Sequence, residues 1–396
     1  MNLEINSIFC ADSVKKLKEI PSESVNLVYF DPPFFSQKKY SLTSRDDGKL
    51  YEFDDIFSTK EEYLSLINNV LVESKRILKK DGSIFLHCDR YASHYLRVEL
   101  DKVFTENNFQ SEIIWTYKRW SNSKKGLLNA HQNIYFYSKS KDFKFNQFYT
   151  NYSPSTNIDQ ILQERARNSK GKSEYRKDSN GNVVQVKDKK GVPLSDVWEI
   201  PYLNPKANER CGYPTQKPVK LLQRIIELST DENDIVLDPF CGSGTTCVAA
   251  KSLNRKFIGI DKNAEAIALS KKRLEEMVIS ESRVLSKGIE SCVEKSDFEN
   301  NLLSLLNAIP VQRNKGIDGF IKSNGTLIPV KIQKENETID DAIKSLEFAV
   351  RNKDFPIKIL VQTNEKHNSY LFEEKTDIKV VKFLNLQKKN ILKSRN

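Results

Sequence analysis

Histidine is scarce in this chain, with 4 in 396 residues, and so are methionine (2) and cysteine (6). The cysteines, Cys10, Cys88, Cys211, Cys241, Cys247 and Cys292, form no CxxC pair and have no clustered histidines. That pattern argues against a structural zinc site and fits scattered thiols in a reducing cytoplasm. His87 and His131 each stand beside a strand pattern, and two isolated histidines make no acid–base system without a placed partner. No apolar run approaches the roughly 18 residues of a membrane-spanning helix. The start, MNLEINSIFCADSVKK, lacks a basic segment followed by an apolar core, so neither a signal peptide nor a membrane partner is expected.

Charge, by contrast, is abundant. With 29% charged and 38% hydrophobic residues the chain reads as a globular protein, long enough for one large domain and a smaller one. Lys and Arg number 63 against 53 Asp and Glu, a formal net charge of +10. From Lys118 to Lys190 there are 16 basic and 6 acidic residues, so this window alone carries an excess of ten. Interleaved or adjacent are Trp115, Tyr117, Trp120, Tyr135, Tyr137, Phe143, Phe145, Phe148, Tyr149 and Tyr152. Basic residues mixed with rings that can stack or wedge are a footprint for nucleic acid; the bland alternative is a solvated, loop-rich insertion.

Elsewhere strand and helix patterns alternate. Ile5 to Cys10, Val25 to Phe30, Ser83 to His87 and Phe109 to Tyr117 read as strands, and Val14 to Ile20, Glu61 to Leu78 and Ala92 to Phe104 as helices. Lys79-Lys80-Asp81-Gly82 reads as a helix stop with a turn glycine, and residues 35–57, without periodicity, as a mobile loop. The stretch 120–196 shows little helix pattern and an Asn180-Gly181 turn that predicts a hairpin. The rhythm resumes at Tyr213, with Pro218 opening a helix, then strands ending at Asp238 and Asp261. An α/β fold follows, with a mostly parallel sheet covered by helices.

Two strand ends carry chemistry. Asp31 ends the run Val25–Phe30 and is followed by Pro32, Pro33 and Phe34; the prolines forbid a helix and stiffen the backbone. The result is a carboxylate and an aromatic face in one rigid corner, suited to a flat polar ring bearing an amino group, or else a plain proline turn. The second is Asp238-Pro239-Phe240-Cys241-Gly242-Ser243-Gly244-Thr245, where a strand ends in an acid, a Gly-x-Gly turn follows and a helix begins. No P-loop lysine is present. Asp261 stands at the end of the next strand, about twenty residues on, where a carboxylate can hold both hydroxyls of a ribose. Asp12 lies at another strand-to-helix corner and needs no ligand as a plain N-cap.

These residues resemble the amino-methylating DNA methyltransferases, which transfer a methyl group from S-adenosylmethionine to an exocyclic nitrogen of adenine or cytosine. Asp31-Pro32-Pro33-Phe34 is similar to their DPPY-like catalytic motif and Phe240-Cys241-Gly242-Ser243-Gly244 to their FxGxG motif. Tyr213-Pro214-Thr215-Gln216-Lys217-Pro218 precedes the latter, and this circularly permuted order resembles the beta group. The resemblance implies a Rossmann-like methyltransferase sheet built from a catalytic half at 1–117 and a cofactor half at 197–280, with a target-recognition insertion at 118–196. It implies that Asp31, Pro32, Pro33 and Phe34 are catalytic and that no metal is needed. Asp238, Phe240, Gly242, Gly244 and Thr245 would line the methionine part of the cofactor, Asp261 its ribose and Asp12 its adenine, while Thr215, Lys217 and Pro218 would close the pocket. Asp in first place is commoner in the family with N6-adenine, and Ser with N4-cytosine.

Residues 290–396 form a separate small α/β domain by pattern. Leu302 to Ile309 reads as a helix, Thr326 to Ile332 as a strand after an Asn324-Gly325 turn, 338–351 as a helix and 357–362 as a strand. Gly316, Asp318 and Gly319 resemble the GxDG strand of the PD-(D/E)xK nuclease-like superfamily. Lys331 stands where that pattern has an acid or Gln, and Gln333 where it has Lys, so the resemblance implies the fold without cleavage. The function expected is site-specific N6-adenine methylation of duplex DNA in the bacterial cytoplasm, within a restriction–modification system whose cognate restriction endonuclease is encoded separately. N4-cytosine methylation and a DNA-binding or nuclease protein with a vestigial methyltransferase fold are the alternatives. A monomer and a homodimer both serve a palindromic site.

Overall fold

The computed structural model describes residues 3–43, 48, 50–118, 125–150, 163–184, 191–204, 207–280, 295–311, 314–323, 326–352, 354–364 and 377–383. Trp120, Tyr152, Cys292 and the Asn324-Gly325 turn lie outside them. The chain divides into two units, residues 1–288 and 289–396.

The first unit begins with β1 (Ser7–Cys10), α1 (Ser13–Glu19) and β2 (Val25–Phe30). A hairpin of β3 (Lys38–Thr43) and β4 (Leu50–Asp55) follows, then α2 (Lys60–Ile77), β5 (Leu78–Cys88) and α3 (Ser93–Phe104). Next come β6 (Phe109–Thr116), β7 (His131–Ser138) and the short strands β8 (Tyr149–Thr150), β9 (Arg165–Arg167), β10 (Ser173–Tyr175), β11 (Val192–Pro193) and β12 (Val197–Glu199). The unit closes with α4 (Val219–Ser229), β13 (Ile235–Asp238), α5 (Thr245–Ser252), β14 (Lys256–Asp261) and α6 (Ala264–Glu275).

The main sheet has the order β1-β14-β13-β2-β5-β7-β6-β12. Only β7 runs against its neighbours; the remaining pairings are parallel. All six residues of β2 are buried, which accounts for its mostly apolar run; the one amide, Asn26, accepts from the Ile235 N–H at 3.1 Å. Its side chains alternate between two cores. Leu27 and Tyr29 pack with α4 and α5 on one face, and Val25, Val28 and Phe30 with α1, α2 and α3 on the other. Strand order runs outward in opposite senses from the β13–β2 pair, so the switch point lies between Asp238 and Asp31. Ligands of open α/β sheets sit at such a point, beyond the carboxyl ends of the strands.

Three readings need correction. Residues 35–57 contain the β3–β4 hairpin, paired from Lys38↔Asp55 to Thr43↔Leu50. β3 is largely exposed and joined to β4 by a Lys39–Glu52 ion pair at 3.0 Å, so no apolar alternation marks it; on β4, Tyr51 and Asp55 are buried. Lys79 to Gly82 form no turn between elements; they are a bulge inside β5, where Val25 pairs with Leu78 and Leu27 already with Ser83. The stretch 118–196 holds β7, a strand of the main sheet, and Trp115, Tyr117, Tyr135 and Tyr137 are buried core residues with no face for nucleic acid. Phe148, Tyr149 and Tyr175 remain exposed. The Asn180-Gly181 turn does close a hairpin, with the Gly181 N–H donating to Asp178 O at 3.0 Å and Lys177 bridged to Val183.

The second unit runs α7 (Asp297–Leu305), β15 (Ala308–Pro310), β16 (Gly319–Ser323), β17 (Thr326–Ile332), α8 (Ile339–Val350), β18 (Lys358–Gln362) and β19 (Ile378–Lys382). Its five strands lie in sequence order, antiparallel up to β17 and parallel from there on. The helix expected at Leu302–Ile309 starts earlier, because Ser296 and Glu299 form a capping box, and ends before Ala308, which belongs to β15.

Candidate active site

The strand order places four carboxylates side by side. Asp12, Asp261, Asp238 and Asp31 follow the carboxyl ends of β1, β14, β13 and β2, four neighbours in the sheet. The charges of Asp31 and Asp261 add to burial in raising the pKa of Asp238, and a ligand carrying positive charge would relieve that repulsion.

Asp31 is held on one side only. Its Oδ2 accepts from Lys217 Nζ at 2.5 Å, while Oδ1 is buried and has no hydrogen-bond partner among the described residues. Burial raises the Asp31 pKa, and the Lys217 ammonium offsets only part of that rise. The same ammonium lies 5.3 Å from the centroid of the Phe34 ring. Behind Phe34, at 6.1 Å, is His87, whose Nδ1 meets Tyr29 Oη at 2.7 Å and whose Nε2 meets Gln132 Oε1 at 2.9 Å. An amide oxygen only accepts, so Nε2 carries the proton and Nδ1 accepts from the tyrosine. Burial pushes the His87 pKa down and the Lys217 charge pushes it further, so the imidazole is neutral. His87 is a satisfied structural histidine beneath the corner; His131, at the start of β7, is exposed.

The glycine turn is equally determined. Asp238 Oδ1 accepts from the Phe240 N–H at 3.0 Å and Oδ2 from Thr246 Oγ1 at 2.5 Å; burial nevertheless raises its pKa to about 7. Gly242 has φ 48° and Gly244 φ 73°, a left-handed backbone that suits glycine. A Cβ on Gly242 would press on the Tyr213 ring at 3.2 Å, and one on Gly244 would meet Ser270 Oγ at 2.7 Å. Asp261 Oδ2 accepts from the Gly242 N–H at 2.9 Å and Oδ1 from the Asn263 N–H at 2.8 Å. Asp12 caps α1 through the Lys15 N–H at 2.9 Å and is otherwise exposed. The ring of Phe240 stacks on Phe30 at 5.4 Å.

Thr245 is tied down by a residue that sequence reading missed. Arg273 on α6 donates through Nη1 to Ser243 O at 2.6 Å and to Thr245 Oγ1 at 3.0 Å. Glu209 was missed as well. It accepts from the Val219 N–H at 2.8 Å and the Ser280 N–H at 3.0 Å, and Gln216 Nε2 donates to its carbonyl at 2.7 Å. These bonds fix the strap that carries Thr215, Lys217 and Pro218. Lys217 was expected over the cofactor, and the strap delivers its ammonium to Asp31. Ser270, three residues before Arg273 on the same helix face, donates to Gly242 O at 2.7 Å and so supports the same glycine turn.

In the second unit Asp318 is fully engaged. Oδ2 accepts from the Ile332 N–H at 2.7 Å, and Oδ1 from Lys295 at 2.9 Å and Lys334 at 3.1 Å. Burial raises its pKa, but these donors outweigh burial and hold it below the usual carboxylate range. Lys331 is buried against Glu337 at 3.1 Å. Gln333 accepts from the Thr363 N–H at 3.2 Å and donates to Glu337 O at 2.9 Å. Gly316 lies against α8, where a Cβ would strike Ser345 O.

Residues 25–272 match the family described as DNA methylase, and residues 230–376 one described as methyltransferase domain. The DNA adenine methyltransferase YhdJ of Escherichia coli is 33% identical over 276 residues, 69% of this chain and 83% of that protein. The type II methyltransferase M.HinfI of Haemophilus influenzae is 32% identical over 281 residues, 69% of each chain. Among solved structures, PvuII DNA methyltransferase (cytosine-N4-specific) is 19% identical, covering 71% of this chain and 90% of that one with a TM-score of 0.46. Among the described residues no helix is long and apolar enough to cross a membrane. With the family match spanning most of the chain and two relatives above 30% identity, the chain belongs to the DNA methylase family.

Proposed function

We propose that this DNA methylase transfers a methyl group from S-adenosylmethionine to the N6 amino group of adenine at a specific site in duplex DNA, as the modification enzyme of a bacterial restriction–modification system. The observation that carries this reading is the buried, unpartnered Oδ1 of Asp31 in a corner whose other carboxylate oxygen is already anchored. An amino N–H of an extruded base fills that vacancy, the Pro32 carbonyl accepts the second N–H, and Phe34 stacks on the ring, offsetting part of the few kcal/mol lost on unstacking. Both bonds draw the nitrogen toward a tetrahedral form with its lone pair free, and rigid placement of the reactants supplies much of the acceleration.

The acid-lined edge fits a positively charged donor. Asp261 would hold the ribose of S-adenosylmethionine, Asp12 would approach its adenine, and the turn from Asp238 through Phe240, Gly242, Gly244 and Thr245 would receive its methionine part. When bound, the sulfonium supplies an already activated methyl group. Adenine is favoured over cytosine by aspartate in first place of the tetrapeptide and by the name of the Escherichia coli relative. Exposed basic residues of the β9–β10 ribbon, with Tyr175 stacked under Arg165 at 5.0 Å, support a recognition role for the inserted stretch. A separately encoded endonuclease is the counterpart this reading implies, and the soluble cytoplasm its place of action.

For the second unit we propose a nuclease-like core without cleavage, used in binding or packing, because both oxygens of Asp318 are already taken by the Ile332 N–H, Lys295 and Lys334. Random-sequence duplex DNA incubated with labelled S-adenosylmethionine, followed by nucleoside analysis and mapping, tests the main claim. N6-methyladenine at one motif is expected, and N4-methylcytosine would overturn the choice of base. Asp31→Ala should abolish transfer while cofactor affinity stays within about twofold. Nicking of supercoiled plasmid by the full chain with Mg²⁺ would overturn the reading of the second unit.

A further inference from the structure

The chain leaving the catalytic tetrapeptide is bent in a way its residues resist. Phe35 has φ 56° and Gln37 φ 57°, both left-handed and neither glycine, a conformation that residues with a Cβ rarely adopt. The bend separates two adjacent rings. Phe34 faces the corner beside Lys217 and His87, whereas Phe35 stacks on Tyr63 of α2 at 5.2 Å and packs near Phe57 at 6.2 Å. One carboxylate holds this arrangement. Asp55, the last residue of β4 and 1% exposed, accepts from the Phe35 N–H at 3.0 Å through Oδ1 and from the Ser36 N–H at 2.9 Å through Oδ2. The Gln37 N–H adds a bond to Asp55 O at 3.0 Å, and the Gln37 side chain brackets Phe57 by donating to its carbonyl and accepting from its N–H. Among the described residues no basic side chain pairs with Asp55; burial raises its pKa, and hydrogen bonds from the turn, the Phe35 and Ser36 N–H groups among them, offset part of that rise.

Burying a carboxylate without a cationic partner is costly, and hydrogen bonds that offset the cost can be specific to one backbone state. Here they are specific, because both N–H groups converge on one carboxylate only while the turn keeps its left-handed bend. The hairpin that presents Asp55 is itself seated at its other end, where Tyr51 of β4 packs with Tyr213, the ring that covers Gly242. We propose that Asp55 is a positioning residue for methyl transfer, and that it fixes which of the two phenylalanines faces the extruded base by clamping the Phe35 and Ser36 N–H groups. This rests on the base-extrusion reading given above. Asp55 touches neither base nor cofactor; it acts through the backbone that carries Phe34.

Asp55→Ala and the isosteric Asp55→Asn, made in the full chain, test the proposal under single-turnover conditions with labelled S-adenosylmethionine and duplex DNA carrying the mapped site. The rate constant should fall about 100-fold for Asp55→Ala, the scale of a 1 Å misplacement. Asp55→Asn, which keeps one acceptor oxygen, should fall less, with burst amplitude and cofactor affinity within about twofold of wild type in both. A role confined to stability predicts the reverse, a reduced amplitude with an unchanged rate constant, and that result overturns the proposal, as does an unchanged rate constant at full amplitude. If Asp55→Ala does not fold, Asp55→Asn carries the same comparison. Wild type run alongside separates the two claims: an inactive wild type fells the underlying reading, whereas an active one with an unaltered Asp55 variant overturns this inference alone.

Discussion

Asp31 and Asp238 stand at the ends of adjacent strands, and burial raises both pKa values, yet their partners differ. Asp31 is balanced by one ammonium and keeps one oxygen free, whereas both oxygens of Asp238 are taken by Phe240 and Thr246. Lys217→Met removes the ammonium that offsets part of the burial-driven rise in Asp31, so the acid limb of the kcat/KM profile should move to higher pH. A limb that stays in place would mean that Asp31 does not govern it. For Asp238, whose pKa is about 7, the folded chain binds the proton more tightly than the unfolded one. Stability from this group is present below the ordinary carboxylate pKa and is lost as pH rises toward about 7. Melting curves of Asp238→Asn and wild type at pH 4 and pH 8 should show the difference shifting in the variant's favour at the higher pH. A constant difference would contradict the assigned shift.

Among elements, the glycine turn and the β3–β4 hairpin show what local pattern conveys. The turn was legible because its requirement is local: an apolar strand, an acid, and glycines at two left-handed positions. Gly244→Ala adds a Cβ that meets Ser270 at 2.7–2.8 Å in a conformation alanine avoids. Cofactor affinity should fall at least about tenfold, on the order of 1–2 kcal/mol, as read by calorimetry, and Ser270→Gly in the same chain should recover only part of it. The hairpin was illegible because β3 is largely exposed, and its importance rests on Tyr51 and Asp55 of β4 meeting residues distant in sequence. The same holds for β7, whose aromatic run between basic flanks resembled a nucleic-acid face and proved to be interior sheet.

For the whole molecule, every residue of the Asp31 corner and the glycine turn lies in the first unit, which has its own cores on both faces of its sheet. A fragment of residues 1–288 should therefore bind S-adenosylmethionine with unchanged affinity and retain its single-turnover rate constant at saturating DNA, measured against the full chain. Loss of cofactor binding would show that the second unit completes the site. Within that second unit, Lys331→Met takes the ammonium away from Glu337, leaving its Oε2 the Lys334 N–H, and removes a charge near Asp318. Chemical denaturation should show a loss of about 3–5 kcal/mol, the scale of a broken buried pair.

The amino-acid sequence alone determined the α/β alternation, the two strand-end acids with their rigid or glycine-rich successors, and the basic stretch between them. Each depends on residues within a few positions of one another, where periodicity and backbone restriction act directly. The tertiary structure alone decided that Asp12, Asp261, Asp238 and Asp31 share one edge, that Lys217 pairs with Asp31, and that Glu209, Arg273 and Asp55 brace the two sites. Those pairings join residues up to 186 positions apart. They arise from strand order and buried hydrogen bonding, which leave no periodic mark on the chain.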